Sequence, residues 1–142
     1  MEEVIAGIGG ERFRGHGISM HFCRNANSAD LDKLFQIAMA EQGLTRRAEL
    51  IWGFRRATAP IPERTIVEML QSENEDIRDT AFYIMGNNPS PKAREYALSF
   101  LEIGEDVVNA LSLLSKNILP EDERLFFDTI KRCICVNDKF RW

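Results

Sequence analysis

The residues that could do chemistry are few, and most fail on spacing or partners. The first 17 residues hold Gly7, Gly9, Gly10, Gly15 and Gly17. A glycine-rich loop can cradle phosphate, but Gly7-Ile8-Gly9-Gly10-Glu11-Arg12 lacks the third glycine of a dinucleotide fingerprint. No strand precedes it and no Gly-Lys-Ser/Thr follows. It reads as an entry turn, with residues 1–10 a flexible N-terminal segment. His16 and His21 are the two histidines; a spacing of five sets them about 140° apart on a helix, whereas ligands on one face are three or four apart. Cys133 and Cys135 also diverge at a spacing of two, and no further zinc ligands lie near them. Cys133 reads as a small packing residue. Two histidines supply no Ser-His or Cys-His nucleophile pair. The carboxylates Glu75-Asp76 and Glu121-Asp122-Glu123 sit where helix N-termini favour negative charge. No catalytic residue, metal ligand or cofactor is therefore assigned.

The arginines carry more weight. Arg46, Arg47, Arg55 and Arg56 fall in one expected helix with Trp52 between them, and Arg12, Arg14 and Arg24 fall in the helix expected to stack beside it. Arginines with an aromatic residue can hold phosphate and stack on a base. The competing reading puts Trp52 in the core, at the repeat position of Met85, with the arginines as its solvated flank.

Composition limits what the chain can be. Its 142 residues suit one domain, and 44% hydrophobic with 28% charged residues suits a globular protein. The net charge of −4 argues against a dedicated nucleic-acid binder. The charge is uneven. Residues 1–60 hold 8 Lys/Arg against 7 Asp/Glu, and residues 61–142 hold 10 against 15. Three cysteines make no disulfide framework, so a cytoplasmic location is expected. Met1-Glu2-Glu3-Val4-Ile5 lacks the basic start of a signal peptide, and no apolar run is long enough to span a bilayer.

Apolar residues recur at steps of three and four, which predicts helices over 11–24, 28–42, 44–57, 62–72, 75–87, 91–103, 105–117 and 120–134. Ser28, Asn74 and Ser90 are expected N-caps, and Pro62 a first-turn proline. The odd-numbered helices overlay. Phe13, Gly17 and Met20 match Leu44, Ala48 and Ile51 at a shift of 31; these match Ile77, Ala81 and Ile84 at 33, then Val107, Leu111 and Leu114 at 30. Gly53 and Gly86 coincide as well. The even-numbered helices carry stripes of their own: Leu31, Leu34, Phe35, Ala38; Ile66, Met69, Leu70; Ala97, Leu98, Phe100, Leu101; and Phe126, Phe127, Ile130. A period near 31 residues equals two helices with their turns, and such pairs bury their faces by stacking.

The segment Asn74–Asn87 resembles the HEAT-like (armadillo-type) helical repeat family, through Asp76, Ile77, Arg78, Ala81, Met85 and Gly86. The copies at Leu44 and Val107 keep part of the pattern, with Thr45 and Val108 where arginine is expected. The copy at Phe13 has Gly17 in the alanine slot. The resemblance covers about residues 11–134, the expected repeat domain, with 135–142 as a tail. It implies an all-α fold, a right-handed α-α superhelix (HEAT-like solenoid) of about four antiparallel helix pairs. The resemblance is specific for architecture and almost silent on function, since HEAT-like arrays serve many roles.

A non-catalytic module that binds a protein or peptide is the expected function. Its surface is the second helix of each pair, at Lys33, Ile37, Arg64, Val67, Gln71, Arg94, Glu95, Ser99 and Glu102. The alternative is nucleic-acid binding through Arg46, Arg47, Trp52, Arg55 and Arg56, in the manner of HEAT-like DNA glycosylases. The iron-binding HEAT-like hydroxylases use His-Glu dipeptides, and neither His16 nor His21 belongs to one. No cofactor and no membrane contact are expected. Lys139-Phe140-Arg141-Trp142 ends the chain without a polar capping repeat, so a longer parent array or a second copy is expected beyond it.

Overall fold

The computed structural model describes the backbone of residues 15–88 and 90–138 and the side chains of residues 17–88 and 90–134. Among them are eight α-helices and no strand. They are α1 (Gly15–Asn25), α2 (Ser28–Ala40), α3 (Leu44–Trp52), α4 (Glu63–Leu70), α5 (Glu75–Asn87), α6 (Pro91–Ile103), α7 (Val107–Ser115) and α8 (Glu123–Asp138). Two 3₁₀ turns, Gly53–Arg56 and Pro120–Asp122, follow α3 and precede α8. All eight expected helices are present. The segments Gly7–Arg12, Phe13, Arg14 and Trp142, and the side chains of His16 and Cys135, lie outside the described residues.

Local chemistry sets the helix ends. Asn27, one residue before the expected Ser28, caps α2 by accepting from the Asp30 amide at 2.9 Å. Ser28 instead donates to the Pro60 carbonyl at 2.7 Å. Pro62 is the cap residue of α4, just outside its first turn. Asn74 accepts from the amides of Asp76 and Ile77, and Ser90 from that of Ala93 at 3.1 Å. The expected single helix over 44–57 is divided. It is α-helical to Trp52 and 3₁₀ beyond. The last helix runs past its expected end at 134 to Asp138.

The chain forms two compact units, Met1–Ile84 and Met85–Trp142, with the boundary inside α5. In the first, α1 packs against α3 and the turn Gly53–Arg56, and α2 packs against α3. Leu31, Leu34, Phe35 and Ala38 are fully buried, as their stripe predicts, and join Leu50, Ile51, Phe54, Met69 and Ile77. Phe54 meets Phe35 edge-on, with ring centroids 6.3 Å apart. Ile77, Ala81 and Ile84, one expected repeat copy, are buried throughout, but Leu44 is 68% exposed, because α3 turns inward only from Leu50 onward.

Gly53 makes the α1–α3 contact possible. Its missing Cβ would lie 2.0 Å from Ser19 Oγ and 2.6 Å from the Ser19 carbonyl carbon. Ser19 is fully buried and donates to the Leu50 carbonyl at 2.8 Å, joining two residues that the 31-residue shift makes equivalent. Cys23, buried on the same helix, has its thiol pushed up to about 12 by burial, against a lowering hydrogen bond with Ser19.

In the second unit α7 packs on α6 and on α8. Its polar centre is Asp122, a buried carboxylate gripped by Arg94 from Nε at 2.7 Å and Nη2 at 2.6 Å. Asp122 also accepts from the Leu119 amide at 3.0 Å, which fastens the turn leading into α8. The hydrogen bond from Arg94 holds this carboxyl below its ordinary pKa against the opposing pull of burial. Phe127, placed on the apolar stripe by the sequence, is 55% exposed.

Candidate functional site

The expected arginine cluster divides into two groups. Arg46 and Arg47 turn back to the α2–α3 corner. Arg47 donates to the Glu41 carbonyl from Nε at 3.1 Å and Nη2 at 2.6 Å, and Arg46 Nε lies 4.0 Å from the Glu41 carboxylate. Trp52 and Arg55 stay together with exposed Arg56 beside them. A 3₁₀ turn has three residues per turn, so residues i and i+3 eclipse. That geometry lays the Arg55 guanidinium over the Trp52 ring, 3.9 Å from its centroid. Arg24 of α1 is exposed, and its carbonyl accepts from Thr58 at 2.9 Å.

Trp52 is not in the core. It is 43% exposed, whereas Met85, its expected equivalent, is buried. Phe54 takes the inward position instead, because Gly53 lets the turn close onto α1 and point Phe54 at Phe35. Trp52 and the guanidinium are left outside.

A third member comes from α5. The Tyr83 ring, 40% exposed, lies 5.0 Å from the Arg55 guanidinium carbon. Asp76, Asp79 and Tyr83 are spaced i, i+3 and i+7, one face of the helix. Burial holds the Arg55 pKa below its ordinary value, outweighing the attractions of Asp79, Tyr83 and Asp76. Arg55 Nε is buried and donates to nothing. Sequence reasoning missed Tyr83, although it lies one period of 31 residues beyond Trp52; the 33-residue overlay drew attention to Met85 instead.

The other candidate positions are spread over both units. In the first, Lys33 is exposed and Ile37 half-buried on one stripe of α2. Arg64, Val67 and Gln71 share a stripe of α4, and exposed Arg64 pairs with Asp32 at 2.5 Å. In the second unit, Glu95, Ser99 and Glu102 line one exposed stripe of α6, with Glu95 3.5 Å from Lys92. Arg94 leaves that stripe to engage Asp122 and, at 3.2 Å, Glu121. Its charge is taken up inside the unit.

His21 is exposed and Cys133 half-buried. Among the described residues no three His, Cys, Asp or Glu side chains form a metal-sized group. None of the described helices is long and apolar enough to cross a membrane. Comparison with known proteins finds no matching family, no significantly similar curated protein and no significantly similar solved structure.

Proposed function

We propose that the chain is a non-catalytic binding module whose Trp52–Arg55–Tyr83 face docks a protein or peptide partner. The observation that carries this reading is the exposure of two large aromatic rings around one partly desolvated arginine. Tryptophan, tyrosine and arginine dominate the energetic centres of protein interfaces, because they offer large contact area and donors at small entropic cost. Ring–guanidinium contact also holds Arg55 in place before a partner arrives.

A HEAT-like α-α superhelix is the architecture proposed to carry this face. Side-chain hydrogen bonds between distant elements support it, because they join residues about one period apart. Ser19 to Leu50 spans 31 residues, Ser28 to Pro60 32, Arg64 to Asp32 32, and Lys116 to Gly86 30. Bonds of that span are expected where each helix pair stacks on the next. The nucleic-acid reading draws less support. Arg46 and Arg47 are directed to Glu41, and Asp76 and Asp79 lie within electrostatic reach of Arg55.

The test compares wild type with Trp52→Ala and Tyr83→Ala as baits in native lysate. Both side chains are exposed, so the variants keep the wild-type circular dichroism. The same protein is retained by wild type and lost from both variants, an affinity loss of about 30-fold for an interface anchor worth about 2 kcal/mol. Undiminished capture by both variants contradicts the assignment.

A further inference from the structure

We infer that the Trp52–Arg55–Tyr83 face takes a proline-rich segment of its partner in the polyproline II conformation, with a basic residue beside Asp76 and Asp79, an inference that rests on the docking face proposed above. Arg55 is the spacer of this face rather than its hook. Its guanidinium lies against both rings, its Nε is buried, and Asp79 and Asp76 attract it from α5. What remains open to a partner is two aromatic rings, both partly exposed. The Trp52 indole N–H and the Tyr83 hydroxyl make no hydrogen bond among the described residues. Each ring therefore presents an apolar body and a free polar tip.

The modes of peptide recognition differ in what they demand. Strand addition needs a sheet edge, and the described residues form no strand. A docked amphipathic helix needs a continuous apolar groove, and here a guanidinium parts the rings. Capture of a phosphate or a carboxylate needs uncompensated positive charge, which Asp76 and Asp79 oppose. Polyproline II needs exposed aromatic rings and donors for its carbonyls, because proline has no N–H and the helix leaves its backbone unbonded. The spacing agrees. The distances of 3.9 and 5.0 Å to one guanidinium keep the two ring centroids within about 9 Å of each other, and one turn of polyproline II advances about 9 Å. Charge then sets the flank. Asp76 and Asp79 lie two turns and one turn before Tyr83 on the same face of α5, and Glu73 and Glu75 are exposed at its start. Arg78 is turned to the Ser72 and Glu73 carbonyls. The α5 side of the rings is thus complementary to a lysine or arginine following the prolines.

The experiment titrates the full-length ¹⁵N-labelled chain and follows the Trp52 indole N–H signal, assigned by its loss in Trp52→Phe. The probes are an end-capped peptide of three Pro-Pro-Ala repeats ending in arginine, the same peptide ending in glutamate, and the arginine peptide with glycine in place of every proline. The expected result is saturable movement with the first peptide in the millimolar range or below. Binding is weaker by about tenfold for the glycine peptide, which must be ordered on binding, and by about threefold for the glutamate peptide. Tyr83→Phe keeps the ring and removes one hydrogen bond, so it binds the first peptide about fivefold more weakly, with the spectrum elsewhere unchanged. Glycine and proline peptides that bind alike overturn polyproline recognition while leaving the docking face intact. A glutamate peptide that binds as tightly as the arginine peptide, or more tightly, overturns the basic flank and with it the inference. No movement with any probe overturns it too, and the docking face is then judged by the lysate comparison alone.

Discussion

Replacing Gly53 with alanine tests the packing that sets Trp52 and Arg55 on the surface. Gly53 has φ −58° and ψ −29°, which alanine adopts without strain. At such a site the substitution by itself stabilises by about 0.4–1 kcal/mol through the unfolded chain. The new Cβ, however, lies 2.0 Å from Ser19 Oγ, 2.6 Å from the Ser19 carbonyl carbon and 2.7 Å from its oxygen. Ordinary contact begins at 3.4 Å, so the backbone of α1 must retreat by about 0.8 Å. Overpacking of this kind costs about 1–3 kcal/mol. The retreat also loosens the buried Ser19–Leu50 hydrogen bond of 2.8 Å, and an unsatisfied buried group adds about 1–3 kcal/mol. The expected net loss is about 2–4 kcal/mol, a fall of roughly 1–2 M in the urea midpoint. Far-UV circular dichroism in urea measures it. Adding Ser19→Ala recovers only part of the loss, because the 2.6 and 2.7 Å contacts belong to backbone atoms. A Gly53→Ala protein as stable as wild type, or more so, refutes the close approach.

Three further outcomes follow from the buried groups. With Cys133 and Cys135 changed to serine, Cys23 reacts with a thiol reagent only as fast as the protein unfolds, because its thiol is fully buried and titrates near 12; prompt labelling in native buffer contradicts its placement. Arg94 holds the folded-state pKa of Asp122 below its ordinary 3.8, so the pair's stabilisation is complete above that pH and is lost as pH falls further. Thermal melts should therefore show Asp122→Asn less stable than wild type at neutral pH, with the gap narrowing in acid; a gap that is constant with pH contradicts the pairing. Thr65 is buried and its Oγ1 has no hydrogen-bond partner. Thr65→Val keeps the shape, removes the orphan hydroxyl and should raise stability in urea by about 1 kcal/mol; a loss of that size shows that the hydroxyl is satisfied.

Helices were legible because each carries its own stripe and some carry a cap. Asn74 and Ser90 cap as their positions predict, and the stripe from Leu31 to Ala38 is buried as a unit. The division of the expected helix over 44–57 was not legible. The change from α-helix to 3₁₀ after Trp52 depends on how closely Gly53 meets Ser19, a tertiary contact that no local pattern carries. That contact also decides which of Trp52 and Phe54 is buried. Tyr83 was missed because its partners, Trp52 and Arg55, belong to another helix. Asp122 was read as a dipole-favoured first-turn acid; the Arg94 fork across 28 residues makes it a buried ion-pair centre instead. Arg47 reads as free charge in sequence, yet it is fixed by a carbonyl six residues earlier.

Hydrogen–deuterium exchange on the chain with and without its recovered partner tests the central claim most directly. Protection in the complex should concentrate at residues 50–57 and 76–84, the two segments that present Trp52, Arg55 and Tyr83. Protection confined to the α2 and α4 stripes of Lys33, Ile37, Arg64, Val67 and Gln71, with residues 50–57 unchanged, contradicts it and moves the interface to the second helices.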